Sequence, residues 1–196
     1  MPSQLQPSPA GLPAGVRFVG HAIVSADGMI ASADGSVPEA LRNDADWKQF
    51  QAALDASALV VLGRLGHQRH PNPGRRRLVF TGSVAGIAPD PADPLATLFN
   101  PRGATLDRAL AALGIDAGTV AVTGGTLVFA YFLPLYHAFA LAEAQQVALT
   151  QGRPCFPHAH PRSALAGAGL QPERFEVIDA LGAVTLTRWV RPSHDA

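Results

Sequence analysis

Cysteine is nearly absent from this chain. Cys155 stands alone among 196 residues, which excludes an intramolecular disulfide and any zinc site built from several cysteines, and makes a reducing cytoplasm the expected location. Net charge is absent too: Lys plus Arg and Asp plus Glu both total 15, so there is no broad basic face for nucleic acid or an acidic membrane surface. Any positive charge that matters must be local, and Arg75, Arg76 and Arg77 form its densest run. No stretch reaches the roughly 20 apolar residues that span a bilayer. Residues 1–14 carry neither a basic start nor an apolar run, so they are expected to form a disordered Pro/Ser tail rather than a signal peptide or anchor. What the chain does have is 47% hydrophobic residues and no internal repeat, which predicts one domain over residues 15–192 with a sizeable core.

Val16 to Ile23 reads as a buried first strand, interrupted by Ala26-Asp27-Gly28, and Ser32 to Pro38 as a flexible loop. Asn43 is placed to cap a helix whose third residue is Asp46, with Trp47, Phe50, Ala53 and Leu54 along one face. Ala58 to Leu62, Arg77 to Phe80 and Thr119 to Val122 are short apolar runs of the kind buried on both faces of a sheet. The proline-rich stretch from Ala88 to Pro101 is expected to be a surface excursion without regular structure. Leu106 to Leu113 predicts a short helix ending at Gly114, and the apolar segment after Gly125 a buried helix stopped near Pro134. Three further strands are expected at His137 to Ala144, Phe175 to Asp179 and Val184 to Val190, the last two as a hairpin around Ala-Leu-Gly-Ala. The order predicts an α/β domain with a mixed sheet.

Two of these strands end in glycine and lead into a helix, at Gly63-Arg64 and at Gly124-Gly125-Thr126. Such turns expose backbone N–H groups that suit phosphate, and glycine holds nothing off a pyrophosphate. Glycine also serves packing at strand-to-helix turns, so the pair says more than either alone. Arg64 could add a charge-assisted bond to a phosphate.

Asp44 and Asp46 are both candidate acids, and each also fits a helix cap or a partner of the helix dipole. Asp46 shares a helical face with Phe50, and a carboxylate beside an aromatic ring suits a flat nitrogen heterocycle, pairing with its amidine-like edge while phenylalanine packs on its face.

Arg75, directly after the Pro73-Gly74 turn, is the candidate for a substrate carboxylate; Arg76 and Arg77 read as a solvated strand edge. Thr81, Gly82 and Ser83 either cap a ribose phosphate or form an ordinary turn. His67 and His70 lie in an expected loop, either solvated or near a cofactor's ribose. His158 and His160 lack a neighbouring carboxylate or cysteine, so no metal site is expected, and Cys155 reads as a small strand residue. Together these groups describe an enzyme that holds a nucleotide cofactor beside a ring substrate.

The order of motifs over Phe18 to Trp189 resembles the dihydrofolate reductase superfamily, which includes the reductase domain of bacterial riboflavin synthesis. It is carried by A-D-G-M-I-A, D-x-x-x-F, Gly63-Arg64, the turn P-G-R, T-G-S, V-T-G-G-T-L-V-F-x-x-F-L-P and G-R-P-C-F-P. The resemblance implies a dihydrofolate reductase-like three-layer fold, with a central mixed, mostly parallel sheet flanked by helices and a C-terminal β-hairpin. It implies that Asp46, or else Asp44, is the proton-donating acid, and that Ala22, Ile23, Phe50 and Arg75 meet the substrate. NADPH would be held by Ile30, Gly63, Arg64, Thr81, Gly82, Ser83, Gly124, Gly125, Thr126, Leu127, Val128 and Phe129, with Arg64 favouring the 2′-phosphate.

Some positions depart from the family pattern. Gly66 replaces the threonine after Gly-Arg-x, Ala142 a late-strand threonine, and Val37-Pro38 the usual tryptophan-proline; the Trp-Ile-Thr and Ala-Arg signature of the riboflavin-type reductase is missing. The implied activity is NADPH-dependent reduction of the C=N bond of a dihydropterin, of the dihydrofolate or dihydromethanopterin type. The alternatives are a pyrimidine reductase of riboflavin biosynthesis and a non-catalytic NADP-binding module. The implied partner is a small-molecule pterin, and monomer and homodimer are both compatible with the sequence.

Overall fold

The computed structural model describes residues 7, 9–70 and 72–192. The β-branched run at the start forms β1 (Gly15–Ser25), followed by the short β2 (Met29–Ala31) and by α1 (Asp44–Asp55). Next come β3 (Leu59–Gly63), α2 (Arg64–Arg69), β4 (Arg77–Phe80), β5 (Ile87–Asp90), β6 (Asp93–Phe99) and α3 (Leu106–Ala112). The remainder is β7 (Ala117–Val122), α4 (Thr126–Phe132), β8 (Tyr136–Ala144), β9 (Arg153–Pro154), α5 (Pro161–Gly167), β10 (Gln171–Asp179) and β11 (Val184–Val190).

Nine strands form one sheet in the order β10-β11-β8-β1-β7-β3-β4-β6-β5. The pairs from β8 through β6 are parallel, whereas the β10–β11 hairpin at one side and β5 at the other run antiparallel. The sheet is therefore mixed and mostly parallel, with the expected C-terminal hairpin. Alternation along β3 builds three layers. Leu59 and Val61 enter a core with α3, α4 and α5, while Val60 and Leu62 enter a second core with Leu54 and Phe50 of α1. No helix among the described residues is long and apolar enough to cross a membrane.

The central crossing is tight at Gly20, where an added β-carbon would stand 2.1 Å from the Phe139 ring. Gly20→Ala is expected to lower stability by about 1–3 kcal/mol through overpacking, read as a lower thermal midpoint.

Three expectations need correction, and one helix was not expected. The proline-rich stretch is not irregular: it forms β5 and β6, with β6 in register on β4 from Arg77↔Ala96 to Phe80↔Phe99. Proline is tolerated because β5 is the sheet's edge, Pro91 falls in the turn, and Pro94 precedes the residues paired with β4. His67 lies in α2 rather than a loop, its Nε2 3.0 Å from Asp90 Oδ2. Arg77 is buried, not solvated: its position on β4 turns it inward to pair with Asp93, and its Nε donates to the Arg75 carbonyl at 3.1 Å. Finally, α5 follows the His158 loop, with the His160 side chain accepting from the Arg162 amide at its start.

Of the tail expected over 1–14, residues 1–6 and 8 lie outside the described residues. Over 9–14 the chain runs in turns, with Leu12 packed on the larger core.

Candidate active site

Three parallel strands deliver the glycine turns to one edge of the sheet. β3 ends at Gly63, β7 runs through Thr123 into Gly124-Gly125, and β4 runs into Thr81-Gly82-Ser83. The first two turns are joined directly: the Gly63 amide donates to the Gly124 carbonyl at 2.9 Å, and the Thr123 amide to the Val61 carbonyl at 2.9 Å. Gly124 and Gly125 adopt φ of 127° and 68°, conformations that side chains resist. A β-carbon at Gly125 or at Gly82 would meet nothing within 4 Å, so both turns open onto free space. Beside them Arg64 is exposed, and among the described residues its guanidinium bonds only Gln68, at 3.2 Å. Thr81 and Ser83 share a 2.9 Å hydroxyl contact, with the Ser83 amide donating to Thr81 Oγ1 at 3.1 Å.

Across β1 lies the second half of the site. The Asn43 side chain caps α1 by accepting from the Asp46 amide at 3.0 Å, while its own amide donates to Asp179 of β10 at 2.8 Å. That fixes the first turn of α1 above the sheet. Asp46 is partly buried and its carboxyl has no hydrogen-bond partner among the described residues; desolvation raises its pKa to about 6. Asp44, by contrast, is exposed. Phe50, one turn on from Asp46, is half-buried, with its ring 5.7 Å from Trp47 and 6.1 Å, edge to face, from His21 of β1.

The comparisons with known proteins bear on the fold. No protein-family model matches the sequence, and no curated protein matches it. Among solved structures, a dihydrofolate reductase from Enterococcus faecalis, complexed with NADP(H) and RAB-propyl, superposes with a TM-score of 0.65 at 19% identity, covering 90% of this chain and 97% of that one. A protein named for riboflavin biosynthesis, from Shewanella sp. PV-4, gives 0.65 at 18% identity over 90% and 99% of the two chains. A Thermotoga maritima diaminohydroxyphosphoribosylaminopyrimidine deaminase/5-amino-6-(5-phosphoribosylamino)uracil reductase gives 0.61 at 14% identity; it is matched over 56% of its length and 90% of this chain.

The chain has the dihydrofolate reductase fold. Within this fold the remaining candidates divide by face. Ile23 points toward the α1 side, where it packs with Leu41 and Ala142, whereas Ala22 and Ile30 pack on the opposite core. Val128 and Phe129 are buried in that same core, whereas Leu127 between them and Thr126 is exposed. The Thr126 hydroxyl donates to the Pro154 carbonyl and ties the glycine turn to β9. Arg75 lies over the last turns of α1, with its guanidinium on Asp55 at 2.6 and 3.0 Å, Gln51 at 2.9 Å and Asn72 at 3.1 Å. The strand-start end of the dihydrofolate reductase-like sheet holds a separate cavity lined by Leu12, Phe18, Tyr136 and Arg191, whose guanidinium is spent on the carbonyls of Tyr136, Pro134 and Ala168.

Sequence reasoning overlooked His21. Burial depresses its pKa to about 4, leaving the imidazole neutral near pH 7. The signal was its place in β1: His21 and Ile23 alternate onto the face that α1 covers.

Proposed function

We propose that this protein is an NADPH-dependent reductase that delivers hydride to the C=N bond of a dihydropterin. The observation that carries the reading is a partly buried carboxyl without a hydrogen-bond partner among the described residues, on the same helix that sets Phe50 against β1, together with two glycine turns joined at neighbouring strand ends. The chemistry of the turns fits a dinucleotide: bare backbone amides, open space at Gly82 and Gly125, and an exposed guanidinium at Arg64. We assign the cofactor to Gly63, Arg64, Thr81, Gly82, Ser83, Gly124, Gly125 and Thr126, with Ile30 and Leu127 alongside; Val128 and Phe129 serve from behind by holding the turn.

NADPH, when bound, supplies the hydride. The protein's own contribution is placement and a proton. Asp46 pairs with the amidine-like edge of the pterin and, in its protonated form, promotes protonation of the imine nitrogen. Phe50 packs on the ring face and Ile23 borders it, with Ala22 on the cofactor side of β1. A tail carboxylate would displace the neutral Gln51 and Asn72 as acceptors from Arg75, since a charged acceptor makes the stronger bond.

A pyrimidine reductase needs cations for a ribose phosphate. The arginine run supplies few, because Arg76 bonds the Leu113 carbonyl and Arg77 is buried on Asp93. This favours the pterin.

Arg64→Leu is expected to raise KM for NADPH about 10-fold while leaving KM for NADH unchanged, the loss of one charge-assisted contact. Steady-state kinetics with both cofactors checks this, and an equal effect on the two would remove Arg64 from the 2′-phosphate. The function itself is tested by following NADPH oxidation with dihydrofolate, dihydromethanopterin and the phosphoribosylaminopyrimidine in parallel.

A further inference from the structure

His21 lies on the face of β1 that α1 covers, beside Phe50. Its register partner on β8 is Ala140, and that of Ile23 is Ala142, so the sheet beneath α1 is low on the β8 side and the imidazole rises from it. The ring is partly buried, stands edge to face with Phe50 at 6.1 Å between ring centroids, and neither nitrogen has a hydrogen-bond partner among the described residues or is sealed from solvent. An imidazole that reaches solvent and has no protein partner is free to hydrogen-bond a molecule that packs against Phe50.

We propose that His21 is a substrate-recognition residue whose imidazole hydrogen-bonds an exocyclic amino or carbonyl group on the ring that packs against Phe50. The inference rests on the reductase reading above and narrows its substrate class. Desolvation keeps the ring neutral, so it offers one donor and one acceptor and no charge. It therefore suits an uncharged polar edge of a nitrogen heterocycle rather than a phosphate or a tail carboxylate. Asp46 and His21 would then read two different edges of the same flat ring, one from α1 and one from β1.

The test compares wild type, His21→Leu and His21→Asn with a dihydropterin and with its analogues lacking either the exocyclic amino or the exocyclic carbonyl group. Affinity is read in the presence of NADPH from the fluorescence of Trp47, which stands exposed beside Phe50. For wild type, one of the two analogues is expected to bind about 10-fold more weakly than the parent, the worth of one neutral hydrogen bond. His21→Leu should lose about the same factor on the parent and nothing further on that analogue, while His21→Asn, which keeps a donor and an acceptor, recovers most of the loss.

The imidazole ¹⁵N shifts of wild type give a readout that needs no variant: addition of the parent should move one ring nitrogen, and addition of the critical analogue should not. Unmoved nitrogens, or a His21→Leu variant that discriminates the analogues as wild type does, overturn the proposal while leaving the reductase reading intact. A wild type that neither binds nor reduces any dihydropterin overturns both.

Discussion

Asp46→Asn is expected to lower turnover with a dihydropterin by about 10²- to 10⁴-fold, the usual contribution of a positioned general acid, while the Kd for NADPH stays within about twofold. The amide keeps the shape of the side chain but has no proton to give. The same variant should be more stable than wild type. With its pKa raised to about 6 from 3.8, the native carboxyl binds more protons than the unfolded one between these values, so stability falls as pH rises through that window, and the cost is complete above it.

Removing the carboxylate should recover about 1–3 kcal/mol at pH 8 and nothing near pH 3, measurable as a rise in thermal midpoint at the higher pH only. His21 works in the opposite sense: its native pKa of about 4 against 6.5 makes stability rise with pH across that interval. In activity, kcat/KM of wild type should fall about tenfold per pH unit above about pH 6, as the acid loses its proton. Wild-type turnover in Asp46→Asn alongside loss in Asp44→Asn would move the acid to the exposed position.

Gly124→Ala should reduce affinity for NADPH by at least about 100-fold and destabilise the chain by about 1–3 kcal/mol, the cost of forcing an L residue into a glycine conformation. At φ 127° the new methyl would also stand 3.2 Å from the Phe129 ring, which is packed in the core and has little freedom to yield. Relief requires the turn to rotate. That would break the bond from the Gly63 amide to the Gly124 carbonyl and separate the two halves of the proposed cofactor cradle. Calorimetric titration with NADPH and a thermal melt read the two effects separately; unchanged affinity would remove this turn from cofactor binding.

The glycine turns and the capped helix were legible because each answers a local demand. A backbone at φ 127° and 68° admits few residues besides glycine, and Asn43 with Asp46 is a helix start whatever lies around it. The fold followed from the same short-range signals, since apolar runs alternating with helices leave few sheet topologies.

What stayed hidden depends on which neighbour covers which face. Alternation along β1 puts His21 and Ala22 on opposite faces but does not reveal which of the two α1 covers. Arg76 and Arg77 read as a solvated edge until β4 is paired and Arg77 meets Asp93. Prolines argued against strands at β5 and β6 because only the finished sheet shows that β5 is its edge. The helices α2 and α5, of six and seven residues, are too short for a periodic pattern to establish them.

The central claim is that a dihydropterin is reduced between α1 and β1 by NADPH held on the glycine turns. Its most direct measurement is NADPH oxidation by the purified chain with dihydrofolate and with dihydromethanopterin, run beside Asp46→Asn. The account predicts substrate-dependent oxidation with at least one of them and its near-complete loss in the variant. Tight NADPH binding with no oxidation in the presence of either pterin would contradict it.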